Sequence, residues 1–155
     1  MRRSELEITD QSELLEIIRA GRYATIALCR DNEPYAVTLS YGHDVERSAL
    51  YFHCAAEGLK LDFIRANPRA CVSVIDDRGY VMTECDHHYR SLILRGEMHL
   101  IEDIAEKQHA VDVLLNHLET DPNVVRAKMP IGAEALAKTA FLRFDIREIS
   151  GKRHL

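Results

Sequence analysis

Apolar and polar residues alternate along most of this chain with the two-residue period of half-buried strands, interrupted by stretches with the helical period. Ile8 as a staple, Thr9-Asp10 as a cap and Glu13 closing an Asp-x-x-Glu box predict a first helix. Leu14, Leu15, Ile17 and Ile18 form its apolar face, and Ala20-Gly21 ends it with a glycine able to take the left-handed cap. Tyr23 to Cys29 and Tyr35 to Tyr41 read as strands joined by Arg30-Asp-Asn-Glu-Pro34, which is hairpin chemistry. The polar run Gly42 to Ser48 leads into a third strand beginning at Ala49, with Leu50, Phe52 and Cys54 on one side and Tyr51 and His53 on the other. A tight turn at Glu57-Gly58 then opens a short helix stopped by Asn67-Pro68.

Ala70 to Asp76 resumes the strand pattern, and Asp77-Arg-Gly79 predicts a turn. Tyr80 to His88 is polar and without clear period, and reads as a loop or an irregular edge. Tyr89 to Ile101 is a long strand with Gly96 near its middle, where a bulge would let a barrel turn a corner. Asp103 and Glu106 repeat the capping box and open a helix carrying Ala110, Val111, Leu114, Leu115 and Leu118, which stops before Asp121-Pro122. Asn123 to Lys138 reads as a loop with a short helical turn, and Thr139 to Ile149 as the last strand. Six mostly sequential strands with few helices predict a mainly β (α+β) fold, a six-stranded antiparallel barrel with peripheral helices. Residues 1–155, without internal repeats, are expected to form one domain.

Composition narrows the partners. With 46% apolar residues the chain can bury a proper core, and its net charge of −5 lacks the basic field that a nucleic acid would require. No apolar run is long enough to span a membrane, and Met1-Arg-Arg-Ser-Glu-Leu-Glu turns acidic where a signal peptide needs an apolar region, so a cytoplasmic location is expected. Cys29, Cys54, Cys71 and Cys85 are too far apart for a zinc knuckle or a C-x-x-C pair, and the three in strands are expected to be buried, reduced thiols. None of the seven glycines forms a G-x-G-x-x-G or P-loop array, so any phosphate here is held by other means.

Lys60 offers such means. It falls in the first turn of the short helix, where the backbone N–H groups already carry positive partial charge and an acidic side chain would stabilise more. Unpaired N–H groups, a glycine and a lysine together make a phosphate site; the alternative is a lysine that extends into water from an exposed turn. Cys85-x-His87-His88 is the densest group of potential metal ligands among eight histidines, but adjacent histidines on an extended chain point to opposite sides and further ligands are not evident, so a polar rim loop and no metal are expected. His109 and His117 are too far apart on their helix for one ion and are expected to face solvent. Ser40 and Ser91 lack a nucleophile elbow, and Asp76-Asp77 reads as part of a turn, so no catalytic residue is assigned.

Several stretches together, in order over nearly the whole chain, resemble the pyridoxamine 5′-phosphate oxidase-like flavoproteins of the FMN-binding split-barrel fold, and among them the nitroimidazole-resistance branch. They are Arg3 to Thr9, Pro34-Tyr-Ala-Val-Thr-Leu-Ser-Tyr-Gly42, Leu50-Tyr-Phe-His-Cys-Ala55 with Gly58-x-Lys60, Asn67-Pro68-Arg69-x-Cys71, Tyr89-Arg-Ser91 and Thr139 to Lys152. The resemblance implies an oxidoreductase with FMN near the interface of a homodimer and a small organic acceptor of the nitroaromatic type. It implies that Leu39, Ser40 and Tyr41 line the flavin ring, with Phe52, His53, Cys54 and Ala55 beside it. Gly58, Lys60 and Leu61 would receive the phosphate, and Tyr89, Arg90 and Ser91 would complete the pocket, from the partner subunit in one arrangement. The chain departs from true pyridoxamine phosphate oxidases in ending Gly151-Lys-Arg-His-Leu155, without their arginine- and histidine-bearing substrate motif, and in placing Cys54 where a small hydroxyl residue is more usual. Two other readings stay open: a non-catalytic cofactor-binding module, and a haem protein using His53, His87 or His88.

Overall fold

The computed structural model describes residues 3–128 and 132–155. The strands are β1 (Glu7–Ile8), β2 (Tyr23–Arg30), β3 (Glu33–Asp44), β4 (Ala49–Ala55), β5 (Arg69–Val81), β6 (Asp86–Ile101) and β7 (Thr139–His154). The helices are α1 (Gln11–Ala20), α2 (Leu59–Ala66), α3 (Ile104–Leu118), α4 (Pro122–Lys128) and α5 (Ala133–Ala137). All pairings are antiparallel in the order β1-β7-β4-β3-β2-β5-β6, and β6 also pairs with β7. The last pairing closes six strands into a barrel, and two-residue β1 is a seventh strand laid against the end of β7. The six-stranded barrel expected from the sequence is therefore present, with one short addition.

The alternation of side chains builds the core. Ala24, Ile26 and Leu28 of β2 face Val72 and Val74 of β5, and Leu92, Leu94, Leu142 and Phe144 close the same interior. A smaller apolar cluster lies outside the barrel, where Tyr51 and Phe141 pack under Ala110, Val111 and Leu114 of α3. Both faces of β4 are thus covered over Ala49–Phe52.

Local signals act as expected at several points. Asp103 Oδ1 accepts from the N–H of Glu106 (2.8 Å) and caps α3. Asp31 and Asn32, both at positive φ, form the two-residue turn between β2 and β3. The ladder of β6 with β7 shifts register between Arg95 and Gly96, where a Cβ would collide with the carbonyl oxygen of Asp145.

Other expectations are corrected. Asp77-Arg-Gly79 is a bulge inside continuous β5: Gly79 takes φ 99 and its N–H donates to Asp77 Oδ1 (2.8 Å), so the strand kinks without turning. Tyr80 to His88 is consequently a paired arm, with Tyr80 opposite His87 and only 82–85 in the turn. Gly21 is extended and not left-handed; it leaves room for the Tyr41 hydroxyl, which donates to the Ile18 carbonyl (2.6 Å). The Asn123–Lys138 connection holds two helices, and its residues 129–131, like Met1 and Arg2, lie outside the described residues. Cys29 and Cys85 are exposed, and Cys54 and Cys71 half-buried, so the thiols are free but not core residues.

Gly96→Ala is expected to lose about 1–3 kcal/mol of stability, because the strand crossing cannot open without breaking ladder bonds. The urea midpoint measures this, and an unshifted midpoint would show that the crossing relaxes freely.

Candidate functional site

The barrel is not laddered evenly. β3 pairs with β4 only from Tyr41–Phe52 to Asp44–Ala49, while β2 holds β3 over its first eight residues and β7 holds β4 through Ala55. No residue of 33–40 pairs with β4, so the two strands part just beyond Tyr41 and Phe52. This leaves a split with Leu39-Ser40 on one lip and His53-Cys54-Ala55 on the other. The seam between β2 and β5 is also short, but there the Asn67 side-chain amide donates to the Cys29 carbonyl (2.9 Å).

Side chains sort by strand parity. Tyr41 and Phe52 are fully buried, and Leu39 and Cys54 pack against the same core, so their backbones and not their side chains face the split. Ser40, His53 and Ala55 point outward and are exposed. Burial drives the Tyr41 hydroxyl well above its ordinary pKa, which suits its hydrogen bond inside the barrel. Leu61 is buried with Phe63 and Ile64, the face by which α2 plugs this end of the barrel, and Phe63 meets Tyr35 at 5.2 Å between ring centroids.

The N-terminus of α2 stands beside the split. Its cap is Gly58 at φ 135, and no side chain caps it. An added Cβ on Gly58 would meet only the Lys60 ammonium, 3.8 Å away, so backbone and cation border the same open space. Asp62, the carboxylate of that turn, faces Arg65 (3.4 Å) instead, leaving Lys60 without a carboxylate partner among the described residues. Burial pushes the Cys54 thiol up, and Lys60 lies close enough to pull it the other way. The arrangement offers N–H donors, a cation and no side chain in the way, which is what a phosphate monoester needs.

Tyr89, Arg90 and Ser91 are not brought to this corner. Arg90 lies opposite Asp76, and Arg69, at the α2 end of β5, is seven residues away, about 23 Å along an extended strand. The Arg90 guanidinium is already engaged: it donates to Asp76 (2.8 Å) and to both Glu16 oxygens (3.0 and 3.2 Å). Burial pushes Asp76 up, but hydrogen bonds from Arg78 and Arg90 outweigh it and hold its carboxyl below the usual range. This network ties α1 to β5 and β6. Tyr89 and Ser91 are half-buried at the same remote end, with Lys152 5.5 Å from the centre of the Tyr89 ring.

His109 and His117, expected in solvent, are half-buried against the barrel. His109, Val113 and His117 recur every fourth residue and form the stripe of α3 that faces β3, a period the sequence carried. His109 pairs with Asp44 (2.7 Å), and His117 Nε2 donates to the Gly21 carbonyl (2.7 Å). His43, a residue the sequence reading passed over, lines the same groove with Arg19, and its Nδ1 is buried without a hydrogen bond. Among the described residues no group of three or more His, Cys, Asp or Glu could hold a metal. His87 and His88 are spent separately, His87 on Asp77 (2.8 Å) and His88 against His154 (6.1 Å between rings). No described helix is long and apolar enough to cross a membrane.

Residues 10–153 match the family described as pyridoxamine 5′-phosphate oxidase. An uncharacterized protein of Rhizobium meliloti (strain 1021) is 28% identical over 71 residues, 46% of this chain, and the match spans 45% of that relative's length. Among solved structures, a candidate 5-nitroimidazole antibiotic resistance protein from Bacteroides thetaiotaomicron is 22% identical with a TM-score of 0.82, over 96% of this chain and 86% of that one. The flavocytochrome Anf3 from Azotobacter vinelandii is 21% identical with a TM-score of 0.85, over 100% and 72%. A FAD-binding protein from Mesorhizobium loti is 25% identical with a TM-score of 0.68, over 94% and 96%.

The histidine groove predicts an acid response. Burial, reinforced by His117 and Arg19, pushes His43 down to about 4, and burial also lowers His117 despite its bond to Gly21. Both are held neutral in the fold, so the unfolded chain binds more protons, and stability falls as pH drops from about 6.5 towards 4. His43→Gln is expected to flatten the decline of the urea midpoint across that window, leaving the part due to His117; an unchanged slope would remove His43 from this role.

Proposed function

The chain belongs to the pyridoxamine 5′-phosphate oxidase family, and we propose that it is an FMN-binding flavoprotein, an oxidoreductase that passes electrons to a small organic acceptor of the nitroaromatic type. The observation that carries this reading is the split between β3 and β4 lying against the uncapped, lysine-bearing start of α2. A flavin mononucleotide needs a phosphate site and a flat slot edged by backbone hydrogen-bonding groups, and these are the two things set side by side here.

In this reading Lys60 and the N–H groups after Gly58 hold the phosphate. The main chain of Leu39, Ser40 and Tyr41 edges the ring on one side and that of His53, Cys54 and Ala55 on the other, while Phe52 and Leu61 brace the lips from within the core. Bound there, FMN would supply the electron-transfer chemistry, and the protein's part is to hold it and tune it. No paired protein acid and base is required for such transfer, in keeping with the absence of an assigned catalytic residue.

The remote position of Tyr89, Arg90 and Ser91 supports a homodimer in which they serve the split of the partner subunit, Arg90 by fixing its strand and Tyr89 and Ser91 by contact. The outer sheet face suits such a contact: Thr25, Ala27, Thr38 and Ser73 are small, and Tyr23 and Ile75 stand exposed among them. Residues 1–155 act as one cytoplasmic domain, and the net negative charge leaves nucleic acid out of the account.

Titration with FMN and with riboflavin tests the reading. Lys60→Ala is expected to weaken FMN affinity by about 1.5–3 kcal/mol, the size of a charge-assisted hydrogen bond. Riboflavin, without phosphate, should bind both proteins alike. Equal FMN affinity would place the phosphate elsewhere, and a flavin-loaded protein that reduces no member of a nitroaromatic panel would refute the enzymatic part.

A further inference from the structure

Behind the β4 lip lies a second cavity, of about 340 Å³, between the outer face of β4 and β7 and the cover formed by α3, α4 and α5. Leu114, Leu115 and Leu118 of α3, Leu136 of α5 and the Phe141 ring make its walls. Such a volume suits a ligand of one or two rings. The cavity is kept open by polar ties on the far sides of its walls. Arg22 donates to the carbonyls of His117 (2.6 Å) and Leu118 (2.8 Å), His117 holds Gly21, and His109 holds Asp44, so α3 is fixed to the α1–β2 connection and to the end of β3. Arg126 fixes α4 to Asp112 of α3 (2.8 Å), and Lys107 donates to the Leu136 carbonyl of α5 (3.2 Å). The apolar cover therefore cannot slide inward to close the space without breaking these contacts.

Three polar side chains reach the lining. The Thr139 hydroxyl donates to the Ala135 carbonyl (3.0 Å), and Glu119 brings a carboxylate that opposes anionic ligands. His53 is the third, its ring 6.4 Å from that of Phe141 and without a hydrogen bond among the described residues. The same His53 belongs to the lip of the split, so the cavity and the cofactor slot share one side chain.

We propose that this cavity binds a small uncharged aromatic molecule bearing one hydrogen-bonding group, its ring against the leucines and Phe141 and its polar end on His53, at the edge of the split. That this molecule is the electron acceptor rests on the flavin reading; its binding does not.

The test uses indole and naphthalene, alike in size and differing in the indole N–H. The chain has no tryptophan, so indole fluorescence reports binding directly, with calorimetry for naphthalene. Wild-type protein is expected to bind both saturably at one site. Ala135→Leu and Leu115→Phe, which fill the space from an exposed and a half-buried position and add no indole of their own, should each weaken both ligands about ten-fold or more. His53→Phe should weaken indole about five-fold, the loss of one hydrogen bond, and leave naphthalene unchanged. Absence of binding, or affinities undiminished in the folded Ala135→Leu protein, would overturn the proposal. Titrations run with and without FMN separate the two readings: indole binding by a protein that takes up no flavin would sustain the cavity and refute the flavoprotein, and flavin uptake without indole binding would do the reverse.

Discussion

A closed barrel satisfies its backbone by pairing every strand on both sides, so a seam that opens must be braced from within and leaves main-chain groups in want of partners. In this protein that seam lies between β3 and β4 beyond Tyr41 and Phe52. Tyr41 and Phe52 are fully buried and meet at 6.3 Å between ring centroids, which anchors the last paired step. Past it, β3 is held by β2, β4 is held by β7, and α2 packs Leu61, Phe63 and Ile64 into the barrel end, chiefly against β2 and β6. The opening is thus a product of core packing.

The two ends of the barrel treat positive charge differently. At one end Arg90 is nearly buried and answered by Asp76 and Glu16, and so serves as a tie between α1 and the sheet. At the other, Lys60 is half-buried beside a glycine-capped helix start and has no carboxylate to answer it among the described residues. Desolvating a cation with its anions present is a structural device, whereas leaving one unanswered next to free N–H groups creates a demand for an anion. Two cations of this fold thereby stand in different surroundings, one answered by carboxylates and one without them among the described residues.

Much of this could be read from the chain. Gly96 in a long strand marked the bulge, Asp103 and Glu106 marked the start of α3, and Gly58 with Lys60 marked the glycine-capped, lysine-bearing start of α2, because each is a local signal with a local cause. What escaped depends on neighbours distant in sequence. Asp77-Arg-Gly79 carries turn chemistry, yet β6 pairs on both sides of it and converts the turn to a bulge. His109 and His117 looked free to face water until β3 and the α1–β2 connection came to meet α3. Cys29 was expected inside because it lies in a strand-patterned run, but the parity of β2 turns it outward. The same parity divides the expected flavin neighbours into Ser40, His53 and Ala55, whose side chains point outward, and Leu39, Tyr41, Phe52 and Cys54, whose side chains turn to the core.

Amide hydrogen exchange with and without FMN bears most directly on the claim that the split is the cofactor's place. The account predicts that FMN slows exchange at Leu39–Tyr41, at His53–Ala55 and at the first amides of α2, three segments distant in sequence that border one opening. Bound FMN that left these amides unchanged, and protected the β2–β5 seam instead, would contradict it.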